Sequence, residues 1–237
     1  MSPYGSSQVR RSTNILPPLV LPLRDTISRP AAASAALPVD SIEVTSLCIS
    51  HVTLETAPAD LIQFLHHEFS AELLRGNTYP QEEALDLDAF KAYYFAADVF
   101  IGIVVPRDST PTTLEMAGAG RPWPTCVSGF YYIKPNYPGR SSHICNAGFV
   151  VANEFRGRGV GGALARSFLH FAPKLGYKGS VFNLVYASNV ASLALWDRLG
   201  FTRAGVIPKA GRLRQEDGTE AFVDAFIIYK SFEETET

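Results

Sequence analysis

The chain has 237 residues, 46% of them hydrophobic, with 21 Lys and Arg against 23 Asp and Glu for a formal charge of −2. That is enough apolar material for one sizeable buried core or two small ones, and too little positive charge for a general attraction to nucleic acid or anionic lipid. Cys48, Cys126 and Cys145 are few, odd in number and without metal-ligand spacing, which points to a reducing compartment and no metal, and no apolar run approaches the ~20 residues of a membrane span.

Residues 1–40 are rich in Pro, Ser and Ala and show no sustained apolar period, so a loosely ordered arm is expected there, ahead of one domain at 41–237. Arg10, Arg11, Arg24 and Arg29 give the arm a faint mitochondrial-presequence character, but Pro17, Pro18 and Pro22 interrupt any amphipathic helix. A flexible or docking arm, including a dimer contact, is the other reading. A homodimer and a cytoplasmic location, with the mitochondrion as the alternative, are the corresponding expectations.

From 42 onward the pattern becomes regular. Alternation in "SIEVTSLCI" (41–49) predicts a strand, and apolar residues at helical spacing over 58–77, stopping at Gly76-Asn77, predict a helix. A second helix is expected within 80–97, with Pro80 in its first turn and acids clustered nearby. Strands are expected at 98–105, 126–135 and 146–151. The Pro/Gly-rich stretch 106–125 is too long for a plain hairpin and is expected to be mobile or to cover a small pocket. Then follow a helix at 159–175, a strand at 180–186, a helix at 189–200, and strands at 201–207 and 221–229. Strands early and strand–helix alternation later imply an α/β (α+β) domain with a mixed sheet flanked by helices on both faces.

The junction "RGRGVG" (156–161) falls where a strand gives way to a helix. Unpaired amides and the dipole at a helix start favour an anion, glycines let the backbone approach it closely, and Arg156 and Arg158 add charge. A flexible turn uses the same letters. A nucleoside-triphosphate loop would need Lys-Ser/Thr where Gly161-Gly162-Ala163 stands, and a dinucleotide fold would need an acid within 176–186, which has none.

The junction resembles the acetyl-CoA signature of the GNAT (GCN5-related) N-acetyltransferases, matched as Arg156-Gly157-Arg158-Gly159-Val160-Gly161. The downstream "NVASLALWDRLGF" (189–201) is similar to that family's Asn-x-x-Ala segment, with Trp196 where a tyrosine usually stands. The stretches "TYPQ" (78–81), 130–151, 172–192 and "VIPKAG" (206–211) look like the azetidine-type branch of the family, which N-acetylates azetidine-2-carboxylate and pyrroline-5-carboxylate. The resemblance implies a splayed sheet holding pantetheine between the strands at 146–151 and 180–186. In that frame the amides of Phe149, Val150 and Val151 face the thioester, those of 157–162, including Gly162, hold the diphosphate, and Asn189 lies beside the cofactor.

Acetyl transfer needs a neutral amine in line with the thioester, a sink for its proton and a proton for the leaving thiolate. Many relatives use a glutamate and a tyrosine; here the strand "HICNAGFVV" offers no carboxylate, and Trp196 is no acid. In azetidine-type enzymes the role falls on asparagines, and the matching positions are Asn146 and Asn183. Asparagine is disfavoured on apolar strands, and each amide can only orient a substrate or water. A bulge or an inter-strand bond is the structural alternative for both, and a plain N-cap is the alternative for Asn189. His143 is a candidate substrate-side relay or a loop cap, Arg140 a weaker candidate, Cys145 a core residue, and Tyr131, Tyr132 and Tyr186 core or pocket wall.

The resemblance thus implies an acetyl-CoA-dependent N-acetyltransferase, without metal, acting on a small cyclic imino acid. It would confer tolerance to toxic proline analogues and oxidative stress, with no nucleic-acid or membrane partner. A polyamine or protein N-terminus as acceptor, or a non-catalytic CoA-binding module, are the alternatives.

Overall fold

The protein is described by a computed structural model covering residues 14–23 and 44–233. Its strands are β1 (Leu19–Pro22), β2 (Val44–Val52), β3 (Asp98–Pro106), β4 (Val127–Pro135), β5 (Ile144–Val151), β6 (Gly179–Tyr186), β7 (Thr202–Arg214) and β8 (Glu220–Ser231). They form one eight-stranded sheet in the order β1-β2-β3-β4-β5-β6-β8-β7. Every pairing is antiparallel except β5 with β6, which are parallel and meet only at Ile144–Gly179 and Cys145–Ser180. Beyond those two positions the strands part, and the mixed sheet is splayed at its centre.

The helices are α1 (Ala59–Arg75), α2 (Leu87–Tyr94), α3 (Leu114–Gly118), α4 (Trp123–Cys126), α5 (Val160–Lys174) and α6 (Val190–Arg198). From Val99 to Val105 strand β3 is an apolar run buried on both sides, as a central strand covered on two faces should be. On one face Phe168 and Phe171 of α5 reach Tyr131, Phe149 and Phe100. On the other, Phe69 of α1 packs on Tyr94 of α2, which in turn packs on Phe130 and Tyr132. Each fully buried ring of this kind contributes roughly 1.5–3 kcal/mol of transfer free energy. Helix α1 buries Leu61, Ile62, Leu65, Phe69 and Leu73 on one stripe and ends at Gly76, whose φ of 72° closes the last turn.

Most elements lie where the sequence expects them, and four differ. Within the expected arm, residues 19–22 are an edge strand on β2, and the backbone amide of Leu16 donates to His51 Nδ1 at 3.0 Å; residues 1–13 and 24–43 lie outside the described chain. Helix α2 starts at Leu87 rather than near Pro80, because the Asp86 side chain accepts from the Ala89 amide and caps it there. The 106–125 stretch is folded into α3 and α4 and tied down: Arg121 donates to the carbonyls of Val104, Ala117 and Gly118, and Trp123 Nε1 donates to Asp60 at 2.8 Å. Strand β7 runs on past 207 through a register shift before Gly211, giving a long hairpin with β8.

Candidate active site

The splay is the root of the site. Ala152 donates its amide to the Ser128 carbonyl, which sets the phase of the β4–β5 ladder. By the alternation of an antiparallel pair, the even-numbered residues of β5 bond to β4, while Ala147, Phe149 and Val151 turn their amides and carbonyls toward β6. Since β6 has diverged, these groups open into a cleft of about 1820 Å³. Of the three amides expected to face a thioester, that of Val150 turns instead to β4, and its side chain is buried in the core. The Phe149 carbonyl accepts from the Tyr79 hydroxyl at 3.2 Å.

At one end of the cleft stands the start of α5. Gly159 caps it with φ 79° and no side-chain bond, and the first helical turn closes from the Ala163 amide to the Gly159 carbonyl. The amides of Val160, Gly161 and Gly162 therefore have no partner within the helix, and these residues line the cleft together with Gly157 and Gly159. Free donors at an uncapped helix N-terminus with adjoining glycines fit a diphosphate. Asn189 lines the cleft too and caps α6, its side chain accepting from the Ser192 amide at 3.1 Å, as its N-cap reading expects.

The two arginines of the junction part ways: Arg156 lines the cleft and Arg158 does not. Arg156 is bound to the Glu72 carboxylate and donates to the Val151 carbonyl at 3.2 Å. Glu72, buried at the end of α1, also takes the Thr78 hydroxyl at 2.7 Å and lies 3.5 Å from Arg75. Arg156 thus braces the glycine loop against α1. Arg158 is exposed over the Phe155 ring and lies outside the cleft. Arg166, nearly two turns into α5, lines the cleft as Arg156 does and donates to the Pro22 carbonyl at 3.1 Å.

At the other end of the cleft Tyr79, Tyr93 and Tyr132 form an aromatic wall with Asn146 and Asn183 beside it. A β-carbon on Gly148 would lie 2.6 Å from the Tyr132 ring, so only glycine lets that ring lie across β5. Burial holds the hydroxyls of Tyr79 and Tyr132 well above the usual tyrosine range. A register shift in β6 between Phe182 and Val185 sets Asn183 off the β8 ladder. Its amide is paired with that of Asn136 on the β4–β5 turn, at 3.1 and 2.6 Å. Among the described residues no group hydrogen-bonds the Asn146 side chain. The tip of the β7–β8 hairpin closes over this end: the Arg214 amide donates to the Gly76 carbonyl at 2.9 Å, and Arg212 pairs with Glu82 at 3.0 Å.

Several candidates lie away from the cleft. His143 is exposed and its Nδ1 is 3.2 Å from the Arg140 carbonyl, so it caps a turn and does not meet Asn146 or Asn183. Cys145 faces the core, where burial pushes its thiol up to about 12. Trp196, by contrast, lines the cleft, but it is packed among Phe149, Phe182 and Phe201 with its Nε1 spent on Ser192 Oγ. None of residues 106–125 lines the cleft, so that segment is no cover for it. Sequence reasoning missed Glu72 and Tyr93, while Tyr79, Lys134 and Asn136 appeared only inside quoted resemblances; all depend on partners distant in the chain. Among the described residues no group of His, Cys, Asp and Glu side chains could hold a metal ion, and no helix is long and apolar enough to cross a membrane.

A central splay with backbone donors along one strand and an uncapped helix at its mouth is the architecture of enzymes that draw an acyl group from an extended CoA thioester. The chain belongs to the acetyltransferase (GNAT) family, whose model matches residues 70–201, and is an acetyl-CoA-dependent N-acetyltransferase. It is 43% identical over 173 residues to N-acetyltransferase aca1 of Schizosaccharomyces pombe, a match covering 73% of this chain and 81% of that one. The fold is similar to a GCN5-related N-acetyltransferase from Kribbella flavida, with a TM-score of 0.59 and 23% identity over 77% of this chain and 97% of that one. It is similar also to the yncA structure from Salmonella typhimurium, solved with its cofactor acetyl-CoA, with a TM-score of 0.57 and 15% identity over 80% of this chain and 96% of that one.

Proposed function

We propose that the acceptor is a small cyclic imino acid, with azetidine-2-carboxylate as the diagnostic substrate and pyrroline-5-carboxylate, through its open amine form, as the metabolic one. The observation that carries this reading is that Asn146 and Asn183, on the two diverging strands, both line the cleft. A short wall of tyrosines suits a ring of four or five atoms. The Arg214–Gly76 bridge narrows the approach that a peptide acceptor would need.

Bound acetyl-CoA supplies an acetyl thioester, whose carbonyl carbon is bonded by the acceptor nitrogen as the carbon–sulfur bond breaks. The amides of Gly157 to Gly162 would hold the diphosphate, and those of Phe149 and Val151 the arm between β5 and β6. The buried carboxylate of the cleft, Glu72, is engaged by Arg156, Arg75 and Thr78 and braces the glycine loop. Asn146 and Asn183 do not titrate; they orient the acceptor or a water, and the amine proton passes to solvent. A thiol of ordinary acidity, pKa about 8.5, leaves as thiolate near neutral pH and takes its proton from water without a dedicated acid. Protection against toxic proline analogues and oxidative stress would follow from this activity.

The test is CoA release, followed with a thiol reagent, from purified protein with acetyl-CoA and azetidine-2-carboxylate, cis-4-hydroxyproline, spermidine or a peptide amine. Turnover confined to the imino acids supports the proposal. Turnover only on spermidine or the peptide rejects the acceptor and keeps the enzyme class, and CoA binding without any turnover means that the true acceptor is none of these.

A further inference from the structure

Lys134 is a mostly buried cation with no anion. Its ammonium donates to the Tyr93 carbonyl at 3.1 Å and lies 3.9 Å from the centroid of the Tyr93 ring and 4.2 Å from that of Tyr132. Aromatic faces offset part of the loss of water around an ammonium, but they do not neutralise it. Among the described residues no carboxylate pairs with it, whereas Arg156, Arg203 and Arg212 all have acidic partners.

Its place in the fold makes that unpaired charge informative. Lys134 stands directly opposite Asn146 in the β4–β5 ladder, so the two side chains leave the same face of the sheet. Tyr93 and Tyr132, which flank the ammonium, line the cleft, as does Asn146. Asn136, two residues along the same strand direction, holds Asn183. Lys134 thus lies just behind the cleft wall, touching Tyr93 and Tyr132 and standing opposite Asn146.

We propose that Lys134 is the residue that selects the acceptor's carboxylate: the substrate supplies the missing counter-ion and Asn146 the neighbouring hydrogen bond. This rests on the imino acid reading above and sharpens it. In such an acid the carboxylate is one carbon from the ring nitrogen, so fixing the first on β4 limits where the second can point. Acceptors with a carboxylate beside the nitrogen are favoured, and neutral or cationic amines are not.

The experiment compares azetidine-2-carboxylate with its carboxamide in the wild-type enzyme and in Lys134→Met, measuring kcat and KM for each. Lys134→Met should raise KM for the acid about a hundredfold while changing that of the carboxamide little, because only the acid loses an ion pair. If Lys134 only props the tyrosine rings, both acceptors will suffer alike and their ratio will be kept, which overturns the proposal. Should that variant not fold, Lys134→Gln serves, and the wild-type enzyme gives a second measurement. Tetrahydrofuran-2-carboxylate should compete with the acceptor far better than its carboxamide does, and equal inhibition overturns the assignment. A wild-type enzyme that acetylates the imino acid and its amide equally overturns this inference alone; one that acetylates only acceptors without an anionic group overturns the acceptor class as well.

Discussion

The side-chain amides of Asn136 and Asn183 hydrogen-bond each other twice, Asn136 Nδ2 to Asn183 Oδ1 at 3.1 Å and Asn183 Nδ2 to Asn136 Oδ1 at 2.6 Å. The pair ties the β4–β5 turn to the strand across the splay, at the point where the two halves of the sheet no longer share backbone bonds. Asn183 is thus held from behind, with its remaining hydrogen-bonding capacity turned to the cleft. Asn183→Ala should lower kcat about a hundredfold or more, the scale of losing a preorganised donor, with CoA affinity within a few-fold of wild type. Asn136→Ala should lower it less, since the catalytic-side amide survives and only its support is lost. Turnover and calorimetric CoA binding measured side by side decide this; loss of both together would make Asn183 a cofactor or folding residue.

Gly159→Glu should weaken CoA binding more than tenfold. The site is an αL helix cap at φ 79°, and a carboxylate there would both strain the backbone and oppose a diphosphate at the helix start. Gly159→Asn separates the two effects, because asparagine tolerates αL and is neutral; it should bind CoA nearly as wild type. Unchanged affinity in the glutamate variant would discard the diphosphate site.

How legible each feature was depended on how far away its partners lie. The glycine loop could be read because a helix start with no capping side chain is a local pattern, and Asn146 and Asn183 stood out because amides are costly on apolar strands. Arg156 looked like a phosphate ligand because it stands in the glycine loop, and its partner Glu72 is 84 residues away. Lys134 sits beside Pro135 at a strand end, where a lysine ordinarily reaches solvent, and only the rings of Tyr93 and Tyr132 enclose it. The 106–125 stretch read as a mobile cover for the same reason. Its order comes from Arg121 reaching back to β3 and Trp123 reaching Asp60, 63 residues away.

Glu72→Ala should both destabilise the protein and loosen the cofactor loop. The carboxylate is buried and accepts from Arg156 and Thr78, so its removal strands a guanidinium that is itself partly exposed. A loss of about 2 kcal/mol is expected, below the range for a fully buried pair, which lowers Tm by about 4–8 °C for a chain of this size. Saturating CoA should recover part of that loss if Arg156 braces the loop that holds the diphosphate. Calorimetric melting with and without CoA tests it, and an unshifted Tm would make the Glu72–Arg156 contact dispensable.

Burial lowers the Lys134 ammonium from 10.5 to about 8, so the cation that would hold a carboxylate is present below about pH 8 and lost above it. An anion bound there favours the charged form, so binding must weaken as pH rises through the free enzyme's pKa. Acetylation itself is a poor probe, because the acceptor amine needs to lose its proton over the same range and the two trends oppose each other. The inhibition constant of tetrahydrofuran-2-carboxylate has no such conflict: its carboxyl is ionised throughout pH 6–9, and the buried Tyr132 hydroxyl beside the ammonium stays protonated. That constant should be flat to about pH 7.5 and then rise toward tenfold per pH unit above about 8, while Lys134→Met shows a weaker, flat profile. The same variant removes an unpaired buried charge, so its Tm should be no lower than wild type at pH 7. A rise in the constant that persists in Lys134→Met would assign the titration to another group and leave Lys134 a packing residue.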